Sequence, residues 1–383
     1  MKRIERFSWC ITALGAAVLL GVGGCSAAPE PPPAPASRLS QLKSDVEQYL
    51  QDRLATGASA VLVQARAGGE TWSEAHGVKD QETRQPAEPG GAFHIASVTK
   101  PMVAAAVLTL VEEERLQLDG LVDDYLPGFQ EVMKPPQPVS VRMLLNHTSG
   151  MPEFEGPLSR SGPLKQVFAA PITGEQRLAL AGTEQWEKPP GSGFEYSSSN
   201  YVVLGLIIER LTGRSLSEVL RSHVTEPLGM DDTVLAGSAA APSGMVHGYA
   251  VVDGETMDGA NAGFHAGSAS GGMISTVHDV NTFFSALMQG RLVNPASVEE
   301  MRGSDAEPFG LGLFKWQDSC TGDFYYGHLG GTPGYESLAM TSADGTRQLA
   351  LGVAYTAEPL VPGKTRDSTA FEDMATKALD STC

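Results

Sequence analysis

A continuous apolar stretch early in the chain is the feature that most constrains the fold. Residues 102–111 read Met-Val-Ala-Ala-Ala-Val-Leu-Thr-Leu-Val, so a helix formed there is apolar on nearly every side. A helix of this kind has to be buried inside a large domain. Pro101 is tolerated in a helix only near the first turn, which places the helix start close to Ser97. The chain must therefore build a core that encloses this helix.

Ser97 and Lys100 stand three residues apart where this helix begins. Residues i and i+3 share a helix face, so the amine of the lysine can reach the hydroxyl of the serine. A serine hydroxyl needs a neighbouring base to act as a nucleophile. Desolvation and the positive end of a helix dipole both favour a neutral lysine that could be this base. The pair predicts an activated serine, although the same spacing also occurs by chance.

The N-terminal residues have the composition of an export segment. A basic head and an apolar stretch end in Val22-Gly23-Gly24-Cys25, which resembles a bacterial lipoprotein signal. The resemblance implies that residues 1–24 are removed and that Cys25 carries a lipid. A cleaved secretory signal and an uncleaved anchor helix are the alternatives. Residues 25–37 are rich in proline and alanine and predict an extended tether, so we expect an exported protein held at a membrane by lipid alone, or secreted.

The charge of the chain bears on its partners. The formal net charge is −18, and binding to nucleic acid phosphates requires basic patches. Nucleic acid is therefore excluded as a predicted partner. The eight histidines are scattered and form no H-x-x-x-H motif, and no C-x-x-C occurs. The sequence accordingly predicts neither a metal site nor a cofactor.

Two of the four cysteines, Cys320 and Cys383, belong to the part of the chain expected to fold. An exported protein can hold a disulfide. The sequence leaves open whether these two cysteines pair or remain free thiols.

Hydrophobic patterns at both ends of the chain predict one sheet. Helical spacing marks residues 39–55 and 369–381, and two further helices are predicted at 201–211 and 279–289. Strand patterns occur at 59–66, 71–78, 310–316, 324–328, 335–341 and 348–355. We therefore expect a domain over residues 38–383, with a sheet from residues 38–96 and 265–383 and a helical insertion at about 101–264. Loops at about 153–187 and 239–267 are expected to shape a pocket.

Two other segments carry polar groups suited to catalysis. Tyr196 lies in a serine-rich turn before the helix at 201–211. It could shuttle a proton, helped by an ammonium group that favours its phenolate, or it could simply pack at the helix entry. His328 lies beside paired glycines that permit close approach of a ligand to the backbone, or that form an ordinary turn.

Taken together, the three segments resemble in order and spacing the motifs of the penicillin-recognising serine hydrolases. This superfamily holds class C β-lactamases, D-alanyl-D-alanine carboxypeptidases and related esterases. Further stretches that resemble family signatures lie at residues 144–152, 271–276, 309–312 and 330–334. The resemblance implies an α+β, β-lactamase/transpeptidase-like fold: an antiparallel sheet flanked by helices, plus an all-helical subdomain, with the active site between them.

The resemblance also assigns roles to residues of this chain. Ser97 would be acylated, and Lys100 and Tyr196 would together move its proton. His328 takes the place of the basic residue of the third motif. The backbone N–H groups of Ser97 and Gly331 would form the oxyanion hole, and losing one such donor costs roughly 10²–10³ in rate.

Some positions depart from the family pattern or extend it. Ser198 stands where an asparagine usually contacts the substrate, and Asn200 could substitute for that asparagine. Leu329 replaces a hydroxyl residue that often binds a substrate carboxylate, and it cannot donate a hydrogen bond. Gly330 is expected beside the substrate, whereas His147 is expected to be structural.

The resemblance ranks the possible functions of this chain. A D-alanyl-D-alanine carboxypeptidase acting on peptidoglycan stem peptides comes first, and an esterase or amidase for small acyl compounds follows closely. A β-lactamase comes next. A non-catalytic relative that binds peptidoglycan or a protein partner is the alternative from another class.

Overall fold

A six-stranded antiparallel sheet, assembled from both ends of the folded chain, organises the molecule. In the computed structural model its strand order is β2-β1-β11-β10-β9-β8, which confirms the predicted antiparallel sheet with flanking helices. The structure describes residues 38–238, 240–360 and 368–383. The predicted signal at 1–24, Cys25 and the tether at 25–37 lie outside the described residues. No helix among the described residues is long and apolar enough to cross a membrane.

The elements of the described residues follow one another along the chain. The α-helices are α1 (Leu39–Ala55), α2 (Thr99–Glu112), α3 (Val122–Tyr125), α4 (Phe129–Met133), α5 (Val141–Leu145), α6 (Glu155–Arg160), α7 (Leu164–Ala169), α8 (Gly174–Ala181), α9 (Ser198–Thr212), α10 (Leu216–Leu220), α11 (Val277–Met288), α12 (Pro295–Arg302) and α13 (Thr369–Asp380). The strands are β1 (Ala58–Ala67), β2 (Glu70–Gly77), β3 (Phe93–His94), β4 (Val234–Leu235), β5 (Tyr249–Val252), β6 (Glu255–Asp258), β7 (Met273–Ser275), β8 (Phe314–Gln317), β9 (Phe324–Thr332), β10 (Tyr335–Ser342), β11 (Gln348–Tyr355) and β12 (Glu358–Pro359).

Alternation along the strands gives the sheet two buried faces. Val61 and Val63 of β1 join Leu351 on the side covered by α1 and α13, which we call the back face. Leu62 of β1 and Ala350 belong to the other cluster, on the side that we call the front face. Side chains alternate between faces with period two, so a strand buried on both sides reads as a continuous apolar run. This is why β1 is buried almost throughout.

The predicted apolar helix is the centre of the front-face core. Eleven of the fourteen residues of α2 are buried, and α2 packs against α9 while α11 packs against β10 and β11. The helix is not preceded directly by a strand, because a short 3-10 turn at Ala96–Val98 joins β3 to it. That turn carries Ser97.

The middle of the chain is mostly helical but not wholly so, which corrects the predicted helical insertion. Strand β4 pairs with β7, and β5 pairs with β6 and β12. Asp253 and Gly254 both have positive φ, 53° and 79°, between β5 and β6. An Asp-Gly pair with positive φ at both positions forms a tight hairpin turn. The prediction overlooked this turn signal.

The predicted strand at 310–316 is also shorter than expected. Only Phe314–Gln317 is extended, because Gly312 has φ of +85° and a Cβ on Gly310 would lie 2.0 Å from a backbone oxygen. The chain turns sharply there and cannot stay in the sheet.

Cys320 and Cys383 form a disulfide whose Cα atoms are 5.6 Å apart. Cys320 lies between β8 and β9, and Cys383 follows α13. Of the two alternatives left open by the sequence, the structure contains the paired one. The bond fastens the last residue of the chain to the edge of the main sheet.

Candidate active site

Ser97 lies in a tight turn whose geometry is fixed by its neighbours. Ala96 has a left-handed φ of +47°, which costs a non-glycine residue roughly 1 to 2 kcal/mol. The turn is held by a hydrogen bond from Ile95 N–H to the Met273 carbonyl at 3.1 Å. Ala96 and Val98 are buried, whereas Ser97 remains partly exposed. The strained turn therefore holds the Ser97 hydroxyl partly exposed to solvent between two buried neighbours.

Lys100 reaches the Ser97 hydroxyl as the spacing predicted. Its Nζ donates to Ser97 Oγ at 3.0 Å and to the Ser270 carbonyl at 2.7 Å, and the side chain is completely buried. Burial disfavours the ammonium form and lowers the pKa of Lys100 to about 8, although Glu155 and Glu153 act in the opposite direction. At pH 7 roughly a tenth of Lys100 is thus a neutral amine, and this form can accept the proton of Ser97.

Tyr196 completes the proton path from the other side of the serine. Its hydroxyl is hydrogen-bonded to Ser97, and Lys100 Nζ lies 4.9 Å from the centre of its ring. Burial raises the pKa of Tyr196 above its ordinary value and outweighs the hydrogen bond, so we expect a neutral hydroxyl and not the phenolate that a nearby ammonium would favour. The ring is 36% exposed, but the hydroxyl points into the crowded floor. Tyr196 therefore acts as a neutral hydroxyl that relays a proton.

His147 holds Tyr196 in place rather than serving as a base. The two rings are stacked with centroids 4.2 Å apart. His147 Nδ1 accepts a hydrogen bond from the Ser197 backbone N–H at 3.2 Å and lies 3.1 Å from the Asn200 amide nitrogen. Burial lowers the pKa of His147 well below its ordinary value, so the ring is neutral.

His328 occupies the predicted place but not the predicted charge state. It is 1% exposed, with Phe314 and Tyr196 ring centres 5.0 and 6.2 Å away. Burial, together with the charge of Lys100, lowers its pKa to about 3. Its Nδ1 is hydrogen-bonded to the Leu329 carbonyl, so that nitrogen carries the proton and Nε2 is a bare acceptor. His328 is a neutral imidazole and cannot replace the basic residue of the third motif electrostatically.

The register of β9 and β10 places the Gly331 N–H at an open edge. Thr332 faces Tyr335 across a two-residue turn, and Gly331 faces Glu336. A tight turn is closed by a hydrogen bond between its first and last residues, and bonded and non-bonded pairs then alternate. The Gly331 N–H therefore points away from β10. Strand β8 pairs with β9 only as far as Gly327, so this N–H is free to bind an oxyanion.

Gly330 makes a close contact that the sequence did not predict. A Cβ on Gly330 would lie 2.3 Å from the Ile95 carbonyl and 2.2 Å from Ser337 Oγ. The glycine thus lets β9 touch the turn that carries Ser97, and its predicted contact with a substrate stays a prediction. The N–H of Ser97 lies in the first turn of a 3-10 helix, where such groups have no partner within the helix. The contact brings the two predicted oxyanion donors together.

Three further predicted contacts come out differently. Ser198 is near the site, but its hydroxyl is hydrogen-bonded to Glu155. Asn200 is completely buried and its amide oxygen accepts from Ser149 Oγ at 2.5 Å, so it cannot reach a substrate. Leu329 faces Leu338 and packs into the back-face cluster. Its side chain therefore points away from Ser97, because neighbours on a strand alternate between faces.

Sequence reasoning missed two carboxylates beside the catalytic residues. Glu153 Oε2 accepts from the Ser198 N–H at 2.5 Å and its Oε1 accepts from the Phe154 N–H at 2.8 Å. Burial, reinforced by Glu155, raises the pKa of Glu153. Burial likewise raises the pKa of Glu155, against the charge of Lys100. The available signal was a phenylalanine, Phe154, flanked by two acids directly after the signature at 144–152.

One group of described residues has ligand-type atoms close enough for a metal ion. Asp318, Cys320 and Asp380 place them within 4.8 Å of one another. The sulfur of Cys320 is bonded to Cys383, and Asp318 is paired with Arg347. The Cys320 sulfur and the Asp318 carboxylate therefore already have structural partners on the back face.

Comparisons with known proteins agree with this geometry. A family model described as Beta-lactamase matches residues 42–372. Penicillin-binding protein 4* of Bacillus subtilis (strain 168) is 26% identical over 309 residues, which cover 76% of this chain and 67% of that protein. Esterase EstB of Burkholderia gladioli is 35% identical over 204 residues, about half of each chain (51% of both). The crystal structure of a D-stereospecific amidohydrolase from Streptomyces sp. has a TM-score of 0.72 at 30% identity, covering 82% of this chain and 94% of that one.

Proposed function

The chain belongs to the beta-lactamase family of serine hydrolases, and we propose that it hydrolyses small esters and amides through an acyl-enzyme on Ser97. The observation that carries this proposal is the contact of one partly exposed hydroxyl with two proton carriers. Lys100 Nζ lies 3.0 Å from Ser97 Oγ, and the Tyr196 hydroxyl is bonded to the same atom.

Each step of the reaction has a residue in place. Lys100, as a neutral amine, takes the proton of Ser97 while its oxygen attacks the carbonyl carbon, and the N–H groups of Ser97 and Gly331 stabilise the oxyanion. The Tyr196 hydroxyl relays the proton to the leaving alcohol or amine, whose bond to the carbonyl then breaks. A water molecule attacks the resulting ester by the same path and restores Ser97.

The charge of the site favours acyl donors that do not end in a carboxylate. His328 is neutral because burial lowers its pKa to about 3, and Leu329 packs on the back face. A substrate carboxylate would thus meet neither a cation nor a hydroxyl at these positions. Similarity to an esterase and to a D-stereospecific amidohydrolase supports ester and amide substrates.

A D-alanyl-D-alanine carboxypeptidase acting on peptidoglycan stem peptides is the second candidate. Similarity to Penicillin-binding protein 4* over 309 residues supports it. Its substrate ends in a carboxylate, so the neutral His328 counts against it. A β-lactamase meets the same objection. The complete set of Ser97, Lys100 and Tyr196 counts against a relative that only binds peptidoglycan or a protein partner.

A substrate panel tests these candidates together. We expect p-nitrophenyl acetate to be hydrolysed faster, by kcat/KM, than nitrocefin or a D-Ala-D-Ala peptide, and Ser97→Ala to abolish the activity. Intact-mass spectrometry after incubation with a fluorescent penicillin should locate any adduct on Ser97. Faster turnover of the peptide would favour the carboxypeptidase. Neither hydrolysis nor an adduct would leave only the binding role.

The location of the protein is a proposal that rests on sequence alone. We propose that residues 1–24 are cleaved and that a lipid on Cys25 holds the protein at the outer face of a bacterial membrane or in the periplasm. Cys25→Ala should release the protein into the soluble fraction. Retention in the membrane fraction would instead indicate an uncleaved anchor.

A further inference from the structure

The oxyanion donor Gly331 lies in a stretch of backbone that has no side chains of its own to fix its geometry. Gly330 and Gly331 are consecutive glycines, and glycine has the widest choice of backbone conformation. Gly331 is exposed, and a Cβ placed on it would have no neighbour within 4 Å. An oxyanion hole is effective because its donors are oriented before the reaction begins. The direction of the Gly331 N–H is therefore set by the residues on either side of it.

Thr332 provides a side-chain hydrogen bond on the C-terminal side of these glycines. Strand alternation places Thr332 on the same face as Gly330 and His328, the face that carries Ser97. Its Oγ1 lies 3.2 Å from His265 Nε2. A β-branched side chain has few χ1 rotamers, and the allowed rotamer depends on the backbone angles. Holding the hydroxyl of Thr332 thus restrains the backbone next to Gly331.

His265 is held firmly enough to fix this hydroxyl. It is 3% exposed and ends the short 3-10 turn Gly263–His265. Its ring is stacked on His94 with centroids 4.1 Å apart, and the centre of the Phe264 ring lies 4.0 Å away. Burial lowers the pKa of His265 well below its ordinary value, so the ring is neutral. The imidazole therefore offers Nε2 to Thr332 from a fixed position.

The loop that carries His265 also holds the catalytic base. The Ser268 N–H donates to the His265 carbonyl at 3.1 Å, and Ser268 Oγ lies 3.0 Å from Ser270 Oγ. The Ser270 carbonyl accepts the hydrogen bond from Lys100 Nζ at 2.7 Å. A change at His265 could thus free Thr332 and weaken the oxyanion site, or displace the loop and disturb Lys100. These two effects differ in the pH dependence of the rate.

We propose that His265 is a positioning residue which, through its hydrogen bond to Thr332, orients the Gly331 N–H toward the oxyanion of the transition state. The inference rests on the proposed function and adds a residue to its machinery. The imidazole acts on the stabilisation of the tetrahedral intermediate and not on the base. Its loss should therefore lower the rate without changing the pH at which Lys100 titrates.

Removing either partner of this hydrogen bond tests the proposal. Thr332→Val keeps the shape of the side chain and removes only the hydroxyl, whereas His265→Ala removes the imidazole. Because loss of a whole oxyanion donor costs roughly 10²–10³ in rate, we expect a misdirected donor to lower kcat/KM for p-nitrophenyl acetate about tenfold in each variant. His265→Gln, whose amide can still bond the hydroxyl, should stay within about threefold of the wild type.

Thr341→Val is the matched control for the loss of a threonine hydroxyl. Thr341 lies on β10, and its Oγ1 is buried without a hydrogen-bond partner among the residues that the structure describes. This variant should keep full activity.

Three further measurements separate positioning from a purely structural role. When phenylboronic acid inhibits, the Ser97 oxygen bonds to boron, its proton passes to Lys100, and a boron-bound oxygen occupies the oxyanion site. Its inhibition constant should rise by the factor by which kcat/KM falls. The double variant His265→Ala/Thr332→Val should lose no more activity than either single variant, because residues that act through one bond are not additive. The midpoint of the pH profile should stay at about 8.

The outcomes distinguish this proposal from the function beneath it. Losses that multiply in the double variant, a boronate affinity unchanged by Thr332→Val, or a pH midpoint shifted by Thr332→Val would each overturn the positioning role while reporter hydrolysis by the wild type stands. Thermal unfolding shows whether each variant is folded, and Thr332→Val decides the question if His265→Ala is not.

Absence of reporter hydrolysis by the wild type would instead remove the proposed function. In that case the boronate affinities of the wild type and Thr332→Val, measured by calorimetry, would still decide whether the Thr332 hydroxyl supports the oxyanion site. A wild type that neither hydrolyses the reporter nor binds the boronate would overturn both proposals.

Discussion

The two faces of the main sheet are built on opposite principles. On the back face, Val61, Val63 and Leu351 pack against α1 and α13 with ordinary apolar contacts. On the front face, the core around α2 also encloses Lys100, which is completely buried, and the strained φ of +47° at Ala96. Strain and buried polar groups persist only where the surrounding structure holds them in place. The front face thus combines an apolar core with the buried polar groups that serve the chemistry.

The largest expected effect comes from removing the buried amine. Lys100→Ala should lower kcat/KM for p-nitrophenyl acetate roughly 10³-fold or more, because acid–base catalysis is typically worth 10²–10⁴. The fold should be retained, since burial of an amine is unfavourable to stability. Lys377→Ala, on the exposed side of α13, is the matched control and should keep full activity. Steady-state kinetics with thermal unfolding would show a conflict if Lys100→Ala stayed active.

Removing the disulfide tests whether the back face contributes to stability without affecting activity. Replacing both Cys320 and Cys383 by serine opens a loop with a sequence separation of 63. We expect this to lower the free energy of unfolding by about 4 kcal/mol. The activity of the folded protein should remain unchanged. Urea unfolding of wild type and variant, with rates measured well below both transitions, makes the comparison. A loss of activity without a loss of stability would mean that the two faces are coupled.

The pH dependence of the rate tests whether Lys100, on the front face, acts as the base. Lys100 serves as a base only when neutral, and burial lowers its pKa to about 8. The rate should therefore rise with pH through about 8 and fall about tenfold per pH unit below it. Because the negative charge of Glu155 raises the pKa of Lys100, Glu155→Gln should shift this profile to lower pH. A profile that Glu155→Gln leaves in place would indicate a different titrating group.

The smallest combined effect on stability and activity is expected at Leu329. Although its neighbour His328 lies on the front face, Leu329 packs on the back. Leu329→Thr should thus lower stability by about 1 kcal/mol and change kcat/KM by less than about threefold. Improved turnover of substrates that end in a carboxylate would place the side chain in the site after all.

Sequence patterns predicted what depends on local spacing. The span of α1, 39–55, is predicted to the residue, and the Ser97–Lys100 contact follows from helix geometry. What they could not predict depends on neighbours distant in the chain. The neutral state of His328 arises from burial beside Phe314 and Lys100, and Asn200 is enclosed by Ser149 and His147.

Hydrogen bonds between segments distant in the chain could not be predicted from the sequence either. Glu153 and Glu155 lie more than forty residues before Ser198, which they bind. Only the fold brings these segments together. The resemblance to a family identified the nucleophile and its partners, but it could not predict that burial holds the pKa of His328 well below its ordinary value.

The contact at Gly330 limits how this enzyme can change. Its Cα hydrogen points at the Ile95 carbonyl so closely that even a methyl group would collide with it. The floor under Ser97 therefore offers natural variation almost no room. Changes in specificity are therefore expected at exposed residues of the rim, such as Glu155 and Phe194, and not in the packed turn beneath them.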